Sequence, residues 1–172
     1  MLRAPAALLA ALICAACAPE LNWRELRTDD IGLAQMFPCK PVRQQRQVQL
    51  AGRDVTLVLQ VCDAGGATWA RAYGDMRDPA AVGAALDALS AAAHGNIGAR
   101  RGDAVAQTVT GASPNAAAGR FQIQGRTPDG KPVQAAVLVF AKGTRVVQLT
   151  ALGASLSADA VETFIGSARA GP

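Results

Sequence analysis

Residues able to do chemistry are few in this chain. It carries four cysteines (Cys14, Cys17, Cys39 and Cys62) and a single histidine, His94. Ser90 lies four residues before His94, a spacing that makes the two neighbours on a helix. A nucleophile beside a base would suit hydrolysis. No Gly-x-Ser-x-Gly elbow accompanies the pair, and Gly153-Ala154-Ser155 lacks the second glycine. An exposed histidine near a helix end is ordinarily solvated or satisfied by the helix dipole. Ser90 and His94 are therefore read as structural. Asp29-Asp30 and Asp75/Asp78 offer the paired carboxylates of a glycosidase, but all four sit at turns, where Asp caps or bends the chain. With one histidine and no Cys-x-x-Cys, zinc lacks a ligand set. Gly65-Gly66 reads as a hairpin turn rather than a phosphate cradle, and Arg101-Gly102-Asp103 is a tripeptide short enough to arise by chance. Lys40, Arg43 and Arg46 could line an anionic surface; a solvated edge strand is the simpler reading. The expectation is a protein that is not an enzyme, with no catalytic residue, no metal and no cofactor.

The elements that hold these residues follow from hydrophobic periodicity. Trp23 to Arg27 and Ile31 to Phe37 read as strands around the turn Thr28-Asp29-Asp30. The prolines of Phe37-Pro38-Cys39-Lys40-Pro41 stop the second strand by removing backbone donors. Val42 to Leu50 is polar on both faces, as suits an exposed edge strand. Ala51-Gly52 turns it into Arg53 to Cys62, where Val55, Leu57, Leu59 and Val61 alternate as one face. Thr68 to Tyr73 follows. Asp78-Pro79 opens a helix with a cap and a first-turn proline, and Val82, Leu86, Leu89 and Ala93 mark its inner face, with Asp87 and His94 outward. Ala104 to Thr110 reads as a strand, as does Arg120 to Arg126. Pro128-Asp129-Gly130 is a turn. Val133 to Ala141 is apolar on both faces and reads as the central strand; Arg145 to Leu152 follows it. Ser157 to Ala168 is a closing helix, with Gly171-Pro172 as a frayed end. Five strands, a helix, four strands and a helix predict an α+β fold: an antiparallel β-sheet of about eight to nine strands packed against two main helices.

The N-terminus sets the compartment. Arg3, the apolar run from Ala6 to Cys17 and its small-residue exit describe a secretory leader. About 11 apolar residues are too few to span ~30 Å of hydrocarbon. Ala15-Ala16-Cys17 resembles the lipobox of bacterial lipoproteins, with Cys14 where that motif usually has Leu. The resemblance implies residues 1–16 as signal peptide, Cys17 as the acylated first residue, palmitate included, and 17–22 as a short tether. Ala18 after the cysteine implies the outer membrane of a Gram-negative cell, facing the periplasm. The alternative is a cut after Ala18 by ordinary signal peptidase, leaving a soluble periplasmic protein. The mature chain of about 155 residues fits one domain with a real core. Without Arg3 the balance is 16 basic to 13 acidic residues, scattered along the chain, which gives nucleic-acid binding little support. Cys39 and Cys62 remain as a pair, and in an oxidising compartment a pair reads as a disulfide; two free thiols are the alternative. Were the strand Val42 to Leu50 to lie between them, sheet spacing would put them about 9.6 Å apart, beyond the ~7 Å a disulfide allows. The bond then requires coil or strand order to bring them together.

Phe37-Pro38-Cys39-Lys40-Pro41 after the second strand, with this order of elements, resembles bacterial proteins of the PsbP-like fold, many of which have glycine in place of Cys39. The likeness covers Trp23 to Ala168 and is similar to a single domain over residues 23–169, a PsbP-like α/β/α sandwich. The joint appearance of Cys39 and Cys62 fits a bond between them. The family implies a non-catalytic binding or assembly module, held to the membrane through its N-terminal lipid, with an envelope protein as partner. A second reading is a small-molecule or lipid-binding module with a cavity between sheet and helix, lined by Ala84, Ala85 and Ala88. A hydrolase centred on His94 is a third.

Overall fold

The computed structural model describes residues 20–100 and 103–171. The leader, Cys14, Cys17, and Arg101 and Gly102 of the Arg-Gly-Asp tripeptide lie outside them. In chain order the elements are β1 (Arg24–Thr28), β2 (Leu33–Phe37), β3 (Val42–Leu50), β4 (Arg53–Ala64) and β5 (Ala67–Asp75), then α1 (Val82–Gly95). After α1 come β6 (Gly119–Arg126), β7 (Pro132–Lys142), β8 (Arg145–Gly153), α2 (Ala158–Gly166) and β9 (Arg169–Ala170). Asp78 caps the turn that leads into α1, its carboxylate accepting from the Ala80 N–H at 2.9 Å. Ser157 caps α2 in the same way, on the Ala160 N–H.

Tight turns build the larger sheet. Ala51 and Gly52 both have positive φ, 50° and 76°, the type I′ geometry whose twist matches paired strands. Gly65 and Gly66, at φ 61° and 68°, close β4 onto β5. Six strands then pair antiparallel in the order β3-β4-β5-β8-β7-β6, and β1, β2 and β9 form a separate three-stranded sheet. Side chains alternate across the larger sheet, and each face has its own core. On one face Val137, Val139, Ala141 and Val146 pack with Val82, Leu86 and Leu89 of α1. On the other Leu138, Phe140, Leu149 and Trp69 pack with Phe37 of β2 and with Val161, Phe164 and Ile165 of α2. The layers are thus α1, the six-stranded sheet, and a mixed layer of α2 with the small sheet.

Several expectations change. The strands of the described residues divide between two sheets instead of sharing one, because the prolines of Pro38 to Pro41 turn the chain out of β2 before β3 begins. Ala104 to Thr110 is not a strand: Val105 bridges Arg120 and Thr110 bridges Arg169, with coil between. Its partners lie in different places, so no continuous ladder forms. β7 is second from the β6 edge rather than central. It is apolar on both faces because α1 covers one and α2 and Phe140's neighbours cover the other. Gly171 is tied down, its N–H donating to the Gly32 carbonyl at 2.6 Å. β3 is an edge strand, as its polarity predicts.

Candidate functional site

Polar groups converge where the small sheet covers the larger one. Arg71, on β5, points into this layer and is fully buried. Its Nε and Nη2 donate to Gln60 Oε1 at 2.8 and 2.6 Å, and Nη2 also donates to Thr28 Oγ1 of β1. The guanidinium lies 5.7 Å from the Phe37 ring centre and 6.0 Å from that of Tyr73. Burial lowers its pKa from 12.5 to about 10, opposed by the charges of Tyr73 and Asp30. Nη1 has no hydrogen-bond partner, nor does Oε1 of buried Gln35, whose Nε2 donates to the Phe164 carbonyl at 3.1 Å. The Tyr73 hydroxyl donates to Asp30 at 3.3 Å. Burial pushes that phenol up, while the neighbouring Arg43 of β3 pulls it down. The cluster ties β1, β4 and β5 together around a cation with no carboxylate directly on it. Its net work is to position the two sheets.

The Phe37-Pro38-Cys39-Lys40-Pro41 stretch runs along the same layer. Phe37 is fully buried and meets Phe164 edge-on at 5.2 Å. Asn22 donates its N–H to the Pro38 carbonyl at 2.7 Å, and Trp23 packs edge-on against Trp69 at 6.1 Å. Cys39 is bonded to Cys62, with their Cα atoms 6.0 Å apart. Strand spacing does not forbid the bond, because Cys39 lies in the bend ahead of β3 and reaches over the face that Cys62 points into. The start of the domain, the end of β2 and the end of β4 therefore meet at this motif.

The expected surface residues fall on β3 and beside it. Lys40, Arg43 and Arg46 are exposed, and β3 is polar along nearly all its length. Asp75 and Asp78 are used structurally. Asp75 accepts from the Thr144 hydroxyl at 2.6 Å and the Arg77 N–H at 2.8 Å, which holds its carboxyl below the ordinary 3.8. Asp78 also meets Arg53 at 2.5 Å. Asp29 and Asp30 form the β1–β2 turn.

His94 does not face solvent as expected; it is buried. The last turn of α1 rolls it under the sheet edge, where its ring meets Phe121 edge-on at 5.3 Å. Its Nδ1 lies 2.8 Å from the Ser90 backbone carbonyl oxygen. That contact is with Ser90's main chain, and Ser90 Oγ is buried without a hydrogen-bond partner, so the geometry does not assemble a nucleophile and base. Of the alanines expected to line a cavity, Ala84, Ala85 and Ala88, only Ala84 borders the groove found beside α1. Ala85 is packed in the core, and the groove at Ala84 is open, about 520 Å³, with Ala104, Asn115 and Phe121 along it. Among the described residues no His, Cys, Asp and Glu cluster is placed to hold a metal ion, and no helix is long and apolar enough to cross a membrane.

Sequence reasoning missed Arg71, Gln60 and Gln35. A signal was present: Trp69, Arg71 and Tyr73 occupy alternate positions of one strand, which puts an arginine on an aromatic, inward face. Comparison with protein-family models, with curated proteins and with solved structures returned no match for the chain.

Proposed function

We propose that the chain is a lipid-anchored protein of the cell envelope, a PsbP-like α/β/α sandwich that binds or assembles a partner without catalysis. In this reading acylated Cys17 holds it to the outer membrane on the periplasmic side. Each acyl CH₂ in the bilayer contributes about 0.8 kcal/mol, so several chains hold a small domain firmly. The observation that carries the reading is the fastening of the domain's start to its body at Phe37 to Pro41. Asn22 on Pro38, Trp23 on Trp69 and Cys39 on Cys62 meet there. A tether fixed so close to the domain suits a module that works beside a surface, and the disulfide suits an oxidising compartment.

The test is intact mass and fractionation after expression in a Gram-negative host. The expected product starts at Cys17, carries acyl mass and is about 2 Da light for one disulfide. Cys17→Ser should move the protein from the membrane pellet to the soluble periplasm. A retained leader on a cytosolic protein, or a Cys17→Ser chain that still pellets, would refute the anchor.

A small-molecule or lipid-binding module is the second reading. The groove beside Ala84, with Gly83, Ala117 and Phe121 on its walls, favours it. A small ligand retained in native mass spectrometry, and lost in Ala84→Arg, would support it.

A further inference from the structure

We propose that the outer edge of β3 accepts an extended acidic segment of another protein as an added strand. This rests on reading the domain as a binding module, and it is independent of the lipid anchor.

The edge is built to pair. Leu50 and Arg53 close the Ala51-Gly52 turn, and all nine residues of β3 pair with β4 in unbroken register. In an antiparallel ladder, residues alternate between bonding inward and outward. Counting from the closing pair, Val42, Gln44, Arg46, Val48 and Leu50 bond to β4. Arg43, Gln45, Gln47 and Gln49 direct their N–H and C=O groups away from the sheet. Proteins commonly blunt such edges with proline, bulges or short strands. β3 has none of these within its length; its one protective feature is charge, Arg43 and Arg46, which deters like-charged and apolar strands but not an acidic one.

Side chains decide the occupant. From Lys40 to Leu50 there are three cations and no carboxylate, and no ion pair is made there among the described residues. Val42 is 63 % exposed. It sits opposite half-buried Val61, next to half-buried Leu59, on the face where α1 lies chiefly over β7 and β8. An added strand would lay alternate side chains beside Arg43 on one face and beside Val42 and Arg46 on the other. Two copies pairing β3 to β3 would bring these arginines together, and like charges across strands destabilise. Residues 1–19 of the chain contain no Asp or Glu, so that stretch lacks the complementary charge. What fits is a segment of another protein that alternates carboxylates with apolar residues, bound by main-chain bonds for affinity and by charge for selection.

The test is fluorescence anisotropy of the purified full chain with a labelled ten-residue peptide alternating Glu and Val. Comparators are the Lys/Val peptide, a Glu/Val peptide N-methylated at alternate residues, and phosphatidylglycerol vesicles. Gln45→Pro removes an outward N–H and leaves the β4 ladder intact; circular dichroism checks that it folds. Should it not fold, the N-methylated peptide asks the same question of the wild-type chain. The expected result is Glu/Val binding that weakens about tenfold or more with Gln45→Pro, with N-methylation and with Arg43→Glu/Arg46→Glu. Amide exchange at Gln45 and Gln47 should slow on binding. Several results would overturn the proposal: no Glu/Val binding, equal binding of the Lys/Val peptide, or indifference to N-methylation. Vesicle binding that exceeds peptide binding, or a dimer that excludes the peptide, would do the same. None of these outcomes depends on where the Cys17→Ser chain fractionates.

Discussion

On the α1 side of the six-stranded sheet, branched aliphatic residues of β7 and β8 meet Val82, Leu86 and Leu89, and the rings among the described residues of that side are Phe121 and, against it, His94. On the opposite side Phe37, Trp69, Tyr73, Phe140 and Phe164 share the core, with Trp23 packed against it. Phe164 sits 5.2 Å from both Phe37 and Trp69, edge-on to each. That side also holds Arg71 and the disulfide. The same strands supply both faces, so the difference lies in what each face must join. α1 brings a single apolar stripe, which any well-filled aliphatic surface can bury. The other face must place a three-stranded sheet, a helix and the entering chain against one another. Ring geometry, buried hydrogen bonds and a covalent link are directional, and they select one arrangement.

The largest test of this contrast is a pair of truncations. Phe164→Ala should cost about 4 kcal/mol and Leu86→Ala about 3 kcal/mol in urea unfolding. A larger loss at Leu86 would make the aliphatic face the dominant one and break the comparison. Removing the disulfide with Cys39→Ser/Cys62→Ser should cost about 3 kcal/mol on the chain-entropy model. Amide exchange should then quicken in β1 and β2 before it does in α1.

Arg71→Met leaves the Gln60 and Thr28 oxygens short of a donor and should cost about 2 kcal/mol. Adding Gln60→Leu should recover most of that, since the matched apolar pair leaves only the half-buried Thr28 hydroxyl without its donor. Failure of the double variant to recover would mean that the guanidinium does more than satisfy its neighbours. Ser90→Ala, on the other face, should raise stability by up to about 1 kcal/mol, because it removes a buried hydroxyl without a partner.

The smallest effect is on pH dependence. The Asp75 carboxyl is held below its ordinary 3.8 in the folded chain, chiefly by the Thr144 hydroxyl. Its stabilising contribution is complete above pH 3.8 and is lost as pH falls through the lower folded value. Asp75→Asn should flatten that part of the acid limb, while stability near neutral pH falls only slightly. Equal acid limbs in the two proteins would remove Asp75 from the account.

Local signals read well where one residue type has one physical use. The prolines after Phe37, the caps Asp78 and Ser157, and the glycines of the β4–β5 turn each mark a boundary that the structure respects. The strand expected from Ala104 to Thr110 fails because its alternation found no neighbouring ladder. A lone histidine near a helix end is usually wet, which points His94 outward; its burial brings it against Phe121, far away in sequence. Nothing local shows that Gln60 and Thr28 will close on Arg71, since they come from different strands.

Alternating and helical periodicities, turn residues and caps were enough to establish an α+β chain with an exposed, polar β3 and a candidate cysteine pair. Each of those depends on neighbours within a few residues. The split into two sheets, the 6.0 Å approach of Cys39 to Cys62 and the burial of Arg71 were decided by packing alone. They depend on which distant strands become adjacent, and that is set by the summed burial of two whole faces rather than by any one stretch of sequence.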